Sequence, residues 1–312
     1  MIEPNLEDVK KTLREYKFPV DVIVEVTNYC NLRCIMCPYP GLKRPKGNMD
    51  FSIFKKIVDE IAAVSPNTRI WLAIMGEPLL LGNKLIEMIK YAKSNNIQVN
   101  LNTNAVYLDK ELGEKLLNAS VDYIIVSIDG VSEDSYNKIR VRGDFNKVVD
   151  NVTTVLEHKR KHPEIKTKIV SQFIVMDENE PEVEEFKNYW LSKGAIVKIR
   201  PKLGWGDAVK ACNLEQVRSE VERFPCAWLT RTVSIHWDGT ISQCDADYEG
   251  LYSPGSLLNN SIKEIWDSQI AIRRQNHWNN NFDFEPCKSC NDWLAGRSYF
   301  YYPELDKEDS LT

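Results

Sequence analysis

The sequence holds four histidines, His158, His162, His236 and His277, and they form no metal-ligand pattern. The first two fall on a polar helix end, where solvent exposure is the default. No apolar run approaches the roughly eighteen residues that a membrane-spanning helix needs. The N-terminal MIEPNLEDVKK carries acids and lacks the apolar centre of a signal peptide. Long runs of one charge are missing too. The net charge of −5 is spread along the chain, leaving no electrostatic footprint for nucleic acid or an anionic membrane surface. These absences predict a cytoplasmic protein with no membrane or nucleic-acid partner, and a merely solvated acidic tail from Glu304 to Asp309.

With 312 residues, 43% of them hydrophobic, the chain has enough material for one barrel-sized domain and a small extension. It also has eight cysteines. In a reducing compartment these read as metal ligands before disulfides. They sort into Cys30, Cys34 and Cys37 near the start and Cys226, Cys244, Cys287 and Cys290 near the end, with Cys212 left over.

The first group stands at a CxxxCxxC spacing with no fourth Cys or His nearby. Structural zinc wants four protein ligands. A [4Fe–4S] cluster held by three thiolates keeps one iron open for a non-protein ligand. The loop follows Val20 to Thr27, whose alternating Val20, Val22, Val24 and Val26 predict a strand. That places the cysteines at a strand's C-terminal end, where α/β barrels carry their chemistry.

This constellation resembles the radical S-adenosylmethionine (AdoMet) superfamily, with Met36 where that family usually has an aromatic residue. The resemblance implies a [4Fe–4S] cluster whose open iron chelates AdoMet and delivers the electron that cleaves it to a 5′-deoxyadenosyl radical. Reduced flavodoxin or ferredoxin is the implied electron donor. After the next strand, Met75-Gly76-Glu77-Pro78 resembles the family's GGEP motif, which binds the methionine amino group; Met75 replaces its first glycine.

Periodicity gives an N-terminal helix from Leu6 to Tyr16, then helices and strands in alternation. The helices are 52–64, 85–94, 110–118, 145–161 and 181–192, and the later strands 69–74, 98–103, 123–128, 168–175 and 195–199. Six strands alternating with helices predict a parallel sheet with right-handed crossovers, an open (β/α)6 partial TIM barrel. Polar residues mark the strand ends. Asn104, Ser127, Asp129 and Gln172 suit turn chemistry; the resemblance implies contacts from Ser127 and its neighbours to the ribose or carboxylate of AdoMet, with Arg140 as a carboxylate partner.

Past Arg200 the alternation stops at Pro201, Gly204 and Gly206. The expected organisation is a helical extension (1–18), the barrel (19–203) and a small C-terminal domain (204–312). In the latter, Thr232 to Trp237 and Thr240 to Ser242 flank Asp238-Gly239 as a hairpin. Ser261 to Gln275 reads as a helix with Ile262, Ile265, Trp266 and Ile272 on one side. Read alone, the four cysteines of this segment suit zinc. Beside a radical AdoMet barrel they resemble the shortened SPASM, or twitch, domain around one auxiliary iron–sulfur cluster, and a full SPASM domain needs more cysteines than remain. The spacing is particularly similar to that of the family's aminocyclitol-dehydrogenase branch. The aromatic-rich stretch from Trp278 to Tyr302 is expected to tie this domain to the barrel; it lacks the basic company of a nucleic-acid platform.

The resemblance implies hydrogen abstraction from a small hydroxylated substrate, sugar or aminocyclitol-like, and oxidation to a ketone with the auxiliary cluster taking the electron. One rival is a redox-neutral epimerase or diol dehydratase, with Cys212 as hydrogen donor in place of an inert buried thiol. Another is a peptide-modifying maturase, which the 29 residues before Cys30 disfavour by leaving no room for a recognition domain there. A plain iron–sulfur carrier would not need the Gly76-Glu77-Pro78 turn.

Overall fold

The computed structural model describes residues 6–11, 13–211, 221–295 and 298–303. After α1 (Leu6–Lys11), strands and helices alternate: β1 (Asp21–Val24), α2 (Phe51–Val64), β2 (Arg69–Leu72), α3 (Asn83–Ser94), β3 (Val99–Thr103), α4 (Lys110–Asn118), β4 (Tyr123–Ser127), α5 (Glu133–Ile139), α6 (Phe145–Lys161), β5 (Lys168–Val175), α7 (Val183–Ser192) and β6 (Ile196–Pro201). The expected helix to Tyr16 stops at Lys11, and the Tyr16 carbonyl oxygen instead accepts a hydrogen bond from Trp266 Nε1. Sequence periodicity does not reveal α5. Its signal is local, since Ser132 and Ser135 form a capping box on a seven-residue helix too short to show a period.

Strands β1 to β6 pair in sequence order and all in parallel. Their alternating residues separate two environments. Val22, Leu72, Leu101, Val126, Phe173 and Ile199 pack beneath the helices. On the other face Ile125, Val170 and Ile196 of β4, β5 and β6 meet Trp71 of β2. Strands that far apart in the sheet touch only if it curls, so this face is the interior of a partial barrel.

The sheet runs on across the expected boundary near residue 203. A short helix, α8 (Ala227–Arg231), leads into β7 (Thr232–Ile235), which pairs in parallel with β1 from Asp21↔Thr232 to Val24↔Ile235. The chain then turns into antiparallel β8 (Thr240–Ser242) and β9 (Gly255–Ser256). Asp21 fixes the junction, accepting from Arg69 Nε at 2.7 Å and Arg231 Nη2 at 2.8 Å. At the opposite edge β10 (Tyr299–Tyr301) pairs antiparallel with β6, so the aromatic tail ties to the barrel by a strand ladder. The helix expected over 261–275 is two, α9 (Ile262–Asp267) and α10 (Gln269–Trp278), broken at Ser268, whose hydroxyl caps the Glu264 carbonyl at 2.6 Å. The break turns Ile272 outward, leaving it 58% exposed, away from the buried side expected for it.

Candidate active site

The cysteine loop lies along the end of α5. Arg33 N donates to Val141 O and Ile35 N to Ile139 O, while Cys30 N donates to the Tyr39 hydroxyl at 3.0 Å. Leu32, Met36, Ile139 and Met176 form an apolar cluster around the three cysteines, so Met36 serves as packing. Burial pushes the Cys30 thiol up to about 11 and Cys37 to about 12, and ionised neighbours within the group add to it. Cys34 is raised by burial as well, against the pull of Arg140. No disulfide joins the described cysteines. Three such thiols around one loop suit a metal centre, which deprotonates the thiols it binds.

The Gly76-Glu77-Pro78 turn presses against this loop. Gly76 has φ +87, and a Cβ there would sit 2.2 Å from the Thr27 carbonyl oxygen, so only glycine fits. Ile74, also at positive φ, stores strain in the same turn. Glu77 N donates to Tyr29 O at 2.8 Å, and Pro78 opens a short 3-10 turn. The Glu77 carboxylate is 2% exposed. Its Oε1 accepts from Thr103 Oγ1 at 2.7 Å and Leu79 N at 3.1 Å, and its Oε2 from Asn104 N at 2.7 Å. Burial raises its pKa while these donors pull it down. Asn104 Nδ2 reaches Asn31 Oδ1 of the cysteine loop at 2.9 Å, which completes the link.

On the far side of the loop, Arg140 Nε donates to Asp129 Oδ2 at 2.7 Å, and its Nη1 lies 3.6 Å from Cys34 Sγ. Arg140 therefore has a carboxylate of its own. Asp129 is fully buried, with Oδ1 accepting from Ile174 N at 2.6 Å. Ser127 Oγ accepts from Gln172 Nε2 at 3.0 Å across the interior faces of β4 and β5. The sequence suggested no role for Asn31, for Thr103 at its polar strand end, or for Asn179, whose Nδ2 holds the Asp129 carbonyl at 3.0 Å. Their residue types are common at strand ends, and only their partners single them out. Cys212 lies outside the described residues.

Cys226, Cys244, Cys287 and Cys290 line a single cavity, shared with Gln243, His277 and Asp292. Burial pushes Cys226 up to about 12, and it raises Cys244, Cys287 and Cys290 as well. Gln243 Nε2 donates to Cys287 Sγ at 3.1 Å and is itself held by Arg273, whose Nη1 meets Gln243 Oε1 at 2.6 Å. Asp292 N approaches Cys290 Sγ at 3.4 Å, and the Asp292 carboxylate accepts from Gly204 N at 2.6 Å and Gly206 N at 3.3 Å. The cavity is thereby fastened to the chain leaving β6. His277 has a place here that the sequence did not suggest: its Nδ1 accepts from Cys226 N at 3.1 Å, and burial pulls its pKa to about 3, which keeps it neutral. Among the described residues no three His, Cys, Asp or Glu side chains close on a single-ion position. A four-iron cluster instead distributes its thiolates over separate irons.

A family model described as the radical SAM superfamily matches residues 24–189, and an iron–sulfur cluster-binding SPASM model matches residues 226–291. The chain belongs to the radical SAM superfamily and carries a SPASM-type domain; the two domains imply a [4Fe–4S] cluster with AdoMet and auxiliary iron–sulfur binding. It is 25% identical over 172 residues to the tungsten-containing aldehyde ferredoxin oxidoreductase cofactor-modifying protein of Pyrococcus furiosus, covering 55% of this chain and 48% of that protein, about half its length. It is 23% identical over 320 residues to the PqqA peptide cyclase of Bradyrhizobium diazoefficiens, covering 91% and 82%. The solved structure of BtrN in complex with AdoMet and 2-DOIA superposes with a TM-score of 0.61 at 17% identity, covering 89% of this chain and 94% of that one. No helix among the described residues is long and apolar enough to cross a membrane.

Proposed function

We propose that this protein is a radical AdoMet oxidoreductase that takes a hydrogen atom from a small hydroxylated substrate, sugar or aminocyclitol-like, and leaves a ketone where an alcohol stood. The observation that carries this reading is the ring of Cys226, Cys244, Cys287 and Cys290 around one cavity fastened to the barrel exit through Asp292. When bound, the cofactors supply radical formation and electron acceptance. The chain's own residues bind and orient them. Cys30, Cys34 and Cys37 hold the first cluster, with reduced flavodoxin or ferredoxin as the electron source. Glu77 accepts from the methionine amino group, its carboxylate aimed by Thr103 and Asn104 and its turn shaped by Gly76 and Pro78. Ser127 faces AdoMet from the barrel wall, its hydroxyl accepting from Gln172 Nε2, and the Asp129–Arg140 pair braces Cys34.

Turnover in heavy water tests the oxidation. The product is expected to be lighter than substrate by two hydrogens, to carry no solvent deuterium at the reacting carbon, and to form equally with Cys212→Ala. Unchanged mass, one solvent deuterium, and a Cys212→Ala protein that makes 5′-deoxyadenosine without product would replace oxidation by the epimerase reading. Peptide modification is the second reading, favoured by the match to PqqA peptide cyclase across 91% of the chain.

A further inference from the structure

Strand β6 carries Lys198 and Arg200 two positions apart. Val197 and Ile199 sit under the helices, whereas Ile196 belongs to the interior cluster, so the alternation turns Lys198 and Arg200 inward. The Lys198 Nζ lies 5.9 Å from the Trp71 ring centre and 5.8 Å from that of Phe300. Trp71 stands on β2, with three strands between it and β6 in the sheet, so its contact with Lys198 spans the interior.

Lys198 is 8% exposed, and among the described residues no hydrogen bond or ion pair holds its ammonium group. Trp71 faces it from β2, Gln172 from β5 in direct register, and Phe300 from β10. The charged group acting on it is Arg200, of the same sign. Removal from water and then Arg200 pull its pKa down to about 7. Burial lowers the pKa of Arg200 as well, but Asp245, Asp292 and Asp129 pull against it, so Arg200 has carboxylates acting on it. On the same interior face, Gln172 Oε1 and Asn102 Oδ1 are buried without a donor. A buried cation is costly until an anion meets it, and a buried amide oxygen until an N–H or O–H does.

We propose that Lys198, Gln172 and Asn102 form the subsite that recognises the substrate by an oxyanion, carboxylate or phosphate, carried next to hydroxyl groups. The oxyanion accepts from Lys198, and the hydroxyls donate to the two amide oxygens. The inference rests on the radical oxidoreductase reading and narrows its substrate to an acidic sugar. An amine-bearing aminocyclitol would bring a second ammonium against Lys198.

Calorimetry on the anaerobically reconstituted holoenzyme with AdoMet bound tests this without turnover. The probes are D-glucuronate, D-glucose 1-phosphate, D-glucose and D-glucosamine, titrated at pH 6 and pH 8 in buffers of different ionisation heat. At least one acidic probe is expected to bind about tenfold or more tighter than glucose, with glucosamine weakest, and whichever is tighter distinguishes carboxylate from phosphate. With D-glucuronate, which is ionised at both pH values, binding at pH 8 takes up close to one proton, because the anion recharges Lys198; at pH 6 uptake is near zero, because Lys198 is already charged. Lys198→Met loses both the preference and the uptake, and Lys198→Arg keeps the preference without uptake, since guanidinium does not titrate. AdoMet affinity stays the same in both variants. If it falls in Lys198→Met as the probe affinity does, the subsite belongs to the AdoMet carboxylate and the proposal is overturned. Failure of both acidic probes to bind at millimolar concentration, or equal binding of glucosamine, also overturns it. A protein that binds acidic probes but never forms 5′-deoxyadenosine supports the subsite while sinking the functional reading.

Discussion

Glu77 and Asn104 stand 27 positions apart, and the Asn104 backbone N–H closes on the Glu77 carboxylate at 2.7 Å, holding it against the cysteine loop. Glu77→Ala should weaken AdoMet binding roughly ten- to a hundredfold, the worth of one charge-assisted hydrogen bond, with iron content unchanged. Thr103→Val should cost less, because the N–H groups of Leu79 and Asn104 still aim the carboxylate. Calorimetry measures both, and an unaltered affinity in Glu77→Ala would place the methionine amino group elsewhere.

Replacing Cys30, Cys34 and Cys37 together by Ala should lower iron from about eight to about four per chain while the auxiliary cluster remains. The variant should form no 5′-deoxyadenosine. Iron analysis and product chromatography settle the matter, and continued cleavage of AdoMet would mean that the reactive cluster sits elsewhere.

Gly76→Ala forces a Cβ within 2.2 Å of the Thr27 carbonyl oxygen at a φ of +87. Strain of this kind costs about 1–3 kcal/mol before the clash is counted. The variant should melt earlier and bind AdoMet poorly, and a melting point equal to that of the native protein would show that the turn relaxes.

Gln243 donates to Cys287 Sγ at 3.1 Å. Hydrogen bonds to cluster sulfurs stabilise the more negative, reduced state. Gln243→Leu should therefore make the auxiliary potential more negative, in a redox titration followed by paramagnetic resonance, while the first cluster is unaffected. An unmoved potential would detach Gln243 from the cluster.

Lys198 falls from an ordinary 10.5 to about 7 in the folded protein, so the unfolded chain binds more protons between those values. Stability then rises with pH across that window, and the burial penalty is complete below it. Lys198→Met should raise the melting temperature at pH 7, and the gain should shrink towards pH 10. A gain independent of pH would point to packing as its source.

The strands and helices with strong periods were legible: α4, α6 and β5 have the limits that periodicity predicts. So was the chemistry-bearing spacing, because seven cysteines and a Gly-Glu-Pro turn have few other uses. What stayed hidden depends on partners distant in sequence. β7 reads as half of a local hairpin until Asp21 is seen to bind Arg231. Lys198 reads as an ordinary strand residue, since its lack of a counter-ion exists only once β2, β5 and β10 surround it. His277 has no ligand spacing and acquires meaning through a backbone N–H, which no side-chain motif records.

The pairing of β7 with β1 sets a timetable for the newborn chain. Arg231 reaches Asp21 across 210 positions. At a synthesis rate of about 5–20 residues per second, the edge of β1 waits roughly 10–40 s for its neighbour. Until then it is an unpaired apolar ribbon, the kind of surface on which nascent chains associate wrongly. The strand that feeds the first three cysteines is thus among the last to be closed. A chaperone that covers that edge during synthesis should raise the yield of protein able to take up iron at both ends.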